Sequence, residues 1–224
     1  MNTPRVNPID GVVKRSYRSG VRAAHADATR RAIVSAASRL FAEKGYGATT
    51  IDAVADTAGV SRKTVFTAVG GKAALLETAV DWAVAGDDQP VAIADRDQIR
   101  AVLATTDPAA LLAGWVRFLV EVDTRVASLF AALEIAADSD TDAAGVLERA
   151  RRQRLADARL VVARLAELGG LTSAMSRTHA VDVAWLATDP VLFLRLVKTR
   201  AWTTKAFEAW LRRSLVDQLV KLPS

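Results

Sequence analysis

Glycines at Gly59 and at Gly70-Gly71 cut residues 49–84 into short pieces, each composed of helix-forming residues. An isolated helix needs roughly 12–15 residues to persist in water. The pieces must therefore be braced by another part of the chain, which dictates a small packed cluster of helices. Between the glycines, "TAGVSRKTVFTAVGGK" (residues 57–72) restarts at Ser61, whose hydroxyl suits a helix N-cap, and places Arg62 and Lys63 in the first turn. Two long cations at the start of a short, braced helix are expected to face something outside the protein.

The brace is readable upstream. Asp27 is placed to cap a helix running to about Lys44, with Ile33, Ala37, Leu40 and Phe41 at helical spacing and Gly45 as its stop. Thr49 and Asp52 have capping-box spacing for a second helix, with Ile51, Val54 and Ala55 as its inner face. Gly59 supplies a left-handed turn, Ser61 opens the third helix, and a fourth runs from about Lys72 to Val84. Upstream of this cluster, residues 1–25 carry Arg5, Lys14, Arg15, Arg18 and Arg22 among prolines and glycines, and are expected to form a basic, flexible arm.

The best boundary is "AGDDQPVAIADRD" (residues 85–97), which separates a domain at residues 26–84 from one at residues 85–224. Beyond it only helical patterns occur. Asp107-Pro108 and Asp189-Pro190 each read as an N-cap followed by proline at the first helical position. A long helix is expected over Pro108–Ala137, with a candidate break near Asp123, and another from about Asp142 to Leu168, stopped by Gly169-Gly170. Shorter helices are expected at about Thr178–Thr188, Pro190–Thr199 and Thr204–Leu222. No alternating strand pattern and no fixed repeat is present, so the fold class is all-α. The acidic run "DSDTDAAG" (residues 138–145) fails as a calcium loop, because Ala143 and Arg149 stand where glycine and the bidentate glutamate belong; it reads as a helix cap.

Charge divides the chain as the domains do. Residues 1–81 hold 12 Lys and Arg against 7 Asp and Glu, whereas residues 82–224 hold 18 of each. A basic end on a neutral body points to a polyanion at one end and another task for the rest. There are no cysteines, which excludes disulfides and cysteine-ligated zinc and fits a reducing cytoplasm. The N-terminus lacks the apolar core of a signal peptide, and no stretch is long enough to span a bilayer. The two histidines, His25 and His179, are far apart, and no catalytic triad, phosphate loop, metal cluster or cofactor motif can be assembled. A cytoplasmic protein that is not an enzyme, with no cofactor and no metal, is the expectation.

A helix–turn–helix has the required form: one helix braces the DNA backbone while the next enters the major groove with its N-terminal residues leading. Arg62 and Lys63 suit guanine edges, and Thr64 and Thr67 suit phosphates or a thymine methyl. Thr49 and Thr50 offer a hydroxyl and free amides to a phosphate, and Lys72 adds a backbone clamp.

With these residues in place, "ATTIDAVADTAGVSRKTVFTAVGGKAALL" (residues 48–76), preceded by "RRAIVSAASRLFAEKGYG", resembles the DNA-binding domain of the tetracycline-repressor family. The resemblance covers about residues 28–84. It implies that Thr49, Thr50, Ser61, Arg62, Lys63, Thr64, Phe66, Thr67 and Lys72 sit where that family touches DNA. Three positions depart from the family pattern: Phe66 replaces the usual tyrosine, Val69 the usual aromatic, and Gly70-Gly71 the better helix cap.

The resemblance further implies a C-terminal helical bundle that dimerises and holds an effector. Trp82, Trp115, Phe118, Phe130 and Leu133 lie on the helices that would surround such a pocket. Val181, Ala184, Trp185, Phe207, Leu211 and Leu215 form apolar faces suited to a twofold interface. The implied partners are a palindromic operator in double-stranded DNA, at which the protein would join the nucleoid, a second copy of the chain, and a hydrophobic or amphipathic effector; no membrane is implied. The implied function is a ligand-released repressor. The competing readings are an activator of the same fold, or a helical carrier or enzyme whose helix–turn–helix does not bind DNA.

Overall fold

The computed structural model describes residues 9–89 and 96–221, with side chains from Arg22 onward. Ten α-helices occur among them: α1 (Ile9–Ala48), α2 (Ile51–Ala58), α3 (Arg62–Ala68), α4 (Lys72–Ala85), α5 (Asp97–Leu103), α6 (Pro108–Ala137), α7 (Thr141–Glu167), α8 (Arg177–Ala187), α9 (Pro190–Phe193) and α10 (Thr204–Leu219). A π-helical turn, Leu194–Thr199, continues α9. The described residues contain no strand, only an isolated bridge between Leu171 and Val220. None of their helices is long and apolar enough to cross a membrane.

α1, α2 and α3 pack on one another, and α1 and α4 both lie against α6. α1 supplies the brace: Ile33, Val34, Ala37, Leu40 and Phe41 are buried against Val54, Val65, Leu75 and Leu76. α6 is the centre of the remainder and meets α5, α7, α9 and α10. α8 packs on α7, and α10 closes over α6 and α8.

Local chemistry sets most boundaries. Asp107, Asp140, Ser176, Asp189 and Thr203 each accept a backbone N–H at the start of the following helix. Such caps contribute about 1 kcal/mol each. Asp140, within the acidic run, accepts from the amides of Asp142 and Ala143, so that run caps α7. At Gly59 (φ 68°) the amide of Val60 returns to the carbonyl of Ala55, closing α2 and turning the chain into α3.

Several expectations need correction. α1 begins at Ile9, so Asp27 lies inside it and residues 9–25, expected as an arm, are helical. No proline interrupts the sequence between Ile9 and Ala48, and each added helical residue gains one backbone hydrogen bond. Residues 1–8 lie outside the described residues, as do Leu222, the expected end of the last helix, and residues 90–95 of the boundary segment. Helical geometry breaks at Gly45 (φ 76°, ψ 174°), where the stop was expected. α6 runs without a break through Asp123. α5 has no counterpart in the sequence reading, because seven residues with one buried position, Ile99, present almost no periodicity. The cap of α2 is Thr50, which accepts from Ala53, and not Thr49.

The turn after α7 is held by close approach. Gly170 is buried, and a Cβ there would overlap the ring of Pro108 at the start of α6. The same turn pairs with the end of α10, Lys221 donating to Gly170 and Thr172 to Leu219. A proline ring cannot rotate aside, so Gly170→Ala is expected to cost about 1–3 kcal/mol, typical of an overfilled site. Gly47→Ala, with nothing within 4 Å of its added methyl, serves as the control. In thermal melts the first variant should lose several degrees of Tm and the second almost none.

Candidate nucleic-acid interface and buried cavity

α3 presents its N-terminal turn to solvent. Ser61 caps it, its Oγ accepting from the amide of Thr64 and lying 2.8 Å from Thr64 Oγ1. Val65 is fully buried on the inner side and pins the helix to the α1 brace. On the outer side Arg62, Lys63, Phe66 and Thr67 are exposed, Thr64 is half-buried, and Thr67 donates to the carbonyl of Lys63. Arg62 reaches across to α2, where its Nη1 lies 2.7 Å from Asp52 Oδ2, and its guanidinium stands 5.6 Å from the Phe66 ring. Both members of that ion pair are exposed, so it contributes less than about 1 kcal/mol and is readily exchanged for a phosphate or a base.

Thr50 is exposed at the head of α2. Lys72 opens α4, its ammonium 4.2 Å from the centre of the Tyr46 ring and within reach of the Gly47 carbonyl. Burial lowers its pKa, with Asp140 opposing that shift. Thr50, Ser61, Arg62, Lys63, Phe66 and Thr67 of the expected set are thus exposed, and Thr64 and Lys72 are half-buried. Thr49 is the exception. It is only 1 % exposed, its hydroxyl donates to the carbonyl of Gly45, and its amide donates to Tyr46. It fastens the α1–α2 turn from inside and has no surface to offer.

The body holds a cavity of about 760 Å³. Trp82 of α4 and Trp115, Phe118 and Phe130 of α6 line it, on helices that the family resemblance implied would surround a pocket. Leu133 does not; it is fully buried in the core beyond the cavity wall. α1, α5, α7, the segment after α4 (Asp87, Asp88, Gln89) and the α8–α9 turn (Thr188, Pro190) also line it.

Sequence reading missed the polar part of this cavity. Asp123 lines it at 2 % exposure, and its Oδ2 has no hydrogen-bond partner. Burial pushes its pKa up to about 8, with Arg154 pulling it down and Asp189 adding to the rise. Arg154 lies 3.7 Å from Asp189, donates through Nε to Thr188 Oγ1, and sits over the rings of Phe130 and Trp185. Asp157, held by Gln153, is also shifted upward by burial. A signal existed for Asp123: it falls on the stripe Val116, Leu119, Val126 and Phe130, where an acid is out of place. Arg154 was harder to find, because "RARRQR" (residues 149–154) reads as a solvated face.

The expected dimer residues divide. Ala184, Phe207, Leu211 and Leu215 are buried within the protomer, at 3 % exposure or less. The stripe on α10 faces the protomer's own core, because α10 packs over α6 and α8. Val181 and Trp185 remain half-buried, and Leu186, Trp202 and Trp210 are exposed. No group of acids and histidines able to hold a metal ion is present among the described residues.

Asp123 gives the stability a pH dependence of definite sign. Its native pKa lies above that of an unfolded aspartate, about 3.9, so the native state holds the extra proton between about pH 4 and pH 8. Stability conferred by this group is present below pH 4 and is lost as pH rises to 8. Asp123→Asn removes the titration while keeping the shape. Thermal melts should show the variant gaining several degrees over the parent at pH 8 and little at pH 5.

Comparison with known proteins follows the same division. Residues 33–79 match the family described as bacterial regulatory proteins, tetR family. No curated protein matches the chain. Among solved structures, the fatty acid degradation regulator FadR from Bacillus halodurans superposes with a TM-score of 0.66 at 16% identity, over 84% of this chain and 94% of that one. SmeT, repressor of the Stenotrophomonas maltophilia multidrug efflux pump SmeDEF, gives 0.60 at 19% identity over 86% and 90%. NalD, the secondary repressor of the MexAB-OprM multidrug efflux pump in Pseudomonas aeruginosa, gives 0.63 at 19% identity over 86% and 97%. At these identities the likeness is one of fold. Residues 33–79 thus match the helix–turn–helix domain of the tetR family of bacterial regulatory proteins, and they are joined to a helical body with the fold of these structures.

Proposed function

We propose that this chain is a sequence-specific repressor, working in the cytoplasm as a homodimer, which a hydrophobic or amphipathic small molecule releases from a palindromic operator. The observation that carries the reading is the exposed first turn of α3, with Arg62 and Lys63 standing clear of a fully buried Val65. Arg62 exchanges Asp52 for a guanine edge or phosphate, Lys63 reaches the same groove, and Thr50, Thr64, Thr67 and Lys72 meet the flanking backbone. The basic balance of residues 1–81 draws this face to DNA.

Release follows from α4. This helix ends beside the cavity with Val80, Trp82, Val84 and Ala85, and begins at Lys72 beside the reading head. A ligand that fits one orientation of α4 better than another shifts the population between two spacings of the paired heads, and only one spacing matches half-sites about 34 Å apart. The half-buried Val181 and Trp185 of α8, with the exposed Leu186, supply apolar surface for the second copy. SmeT has been solved as a complex with triclosan, and SmeT and NalD are repressors; both facts favour this reading for a chain of the same fold.

Fluorescence anisotropy with the protein's own promoter fragment tests it. Replacing Arg62 and Lys63 together by alanine should weaken binding by at least tenfold, since each base contact contributes about 1–3 kcal/mol. The helical circular dichroism and Tm should stay near those of the parent, because both side chains are exposed. Equal binding by parent and variant would remove the reading.

A further inference from the structure

We infer that the effector is an organic cation, an aromatic or aliphatic amine whose ammonium group seats on the buried Asp123 of the cavity lining. The inference rests on the effector reading above and specifies its chemistry. Its central observation is the unpartnered Oδ2 of Asp123, a hydrogen-bond acceptor that is 98% buried by residue and lines the cavity. An acceptor left unpaired in an apolar interior is costly, and a ligand that donates to it recovers that cost on binding.

The surrounding groups select the sign of charge. The lining carries six aspartates against three arginines, and of those arginines Arg154 is held by Thr188, Asp189 and two aromatic rings and Arg31 by Asp88. This balance favours a cationic ligand, which meets the open oxygen of Asp123, with Asp157 on the neighbouring helix. The aromatic residues of the wall, Trp115 and Phe118, add to this preference, since aromatic rings attract an ammonium and give apolar area to its carbon skeleton. The carboxyl that burial holds protonated near neutrality acquires, with an ammonium beside it, the counter-charge it lacks, and gives up its proton.

Three matched probes distinguish the chemistries: 1-naphthylmethylamine, 1-naphthylmethanol and 1-naphthoate. Binding is followed on the full-length protein at pH 7 by quenching of tryptophan fluorescence, to which Trp82 and Trp115 in the cavity wall report. The amine should bind at least tenfold more tightly than the alcohol, and the naphthoate most weakly. Asp123→Asn should bring the amine to within about twofold of the alcohol while leaving the alcohol's own affinity within twofold. If that variant does not fold, Asp157→Asn should still reduce the amine's advantage severalfold. Equal binding of all three probes, or tightest binding of naphthoate, overturns the cation assignment and leaves the effector cavity standing. Quenching by none of them removes the cavity as an effector site, and the assignment with it.

Discussion

One apolar core passes from the helix–turn–helix head to the body, and α4 carries it across. Leu75, Leu76, Ala79 and Val80 are all buried, and α4 contacts α1 on one side and α6 and α7 on the other. The three short helices of the head exist because this core gives them a surface; none could persist alone. Close-packed interiors transmit displacement, and α4 is packed against helices of both parts.

The cavity interrupts that core, and its polar groups work against stability. A carboxyl without a partner in the middle of a thirty-residue helix is unfavourable by every measure of burial. Arg154 partly offsets it but is itself desolvated, and its charge is shared with Asp189. Arrangements that break a packing rule without local compensation are expected where a fold has been bent to a task. Leucine at position 123 would satisfy the stripe of α6, which is why the acid there has more to say about ligand chemistry than the aromatic residues around it.

The sequence was most readable where a single residue type does a job that few others can do. Ser61, Gly59, Gly45 and the Asp-Pro pairs mark their boundaries, and the ends of α6 fall where Asp107-Pro108 and Ala137 suggested. It was less readable where neighbours are chemically alike. Thr49 and Thr50 both suit a cap, yet one is buried under the Gly45 turn while the other caps α2. An apolar stripe does not state what covers it: on α10 it faces the protomer's own α6 and α8, where a twofold partner was expected. Trp82, Trp115, Phe118 and Phe130 line the cavity and Leu133 does not, whereas Asp123 and Arg154 drew no attention in the sequence because charge in a helix is usually solvated.

The head is also tied to the body by polar contacts, which differ in kind from the α4 core. Tyr46, at the end of α1, donates to Asp140 at 2.5 Å, and Asp140 at the same time caps α7. Arg149 of α7 holds Glu77 of α4 through two nitrogens. These polar links fix α7 to the head from outside the core. α4 itself starts on Gly71, which has no side chain to cap it, whereas α2, α3, α6, α7, α8 and α10 all have capped starts. A helix end without a cap has the weakest hold on its first turn. The first turn of α4 rests instead on Lys72, which meets the Tyr46 ring and the Gly47 carbonyl.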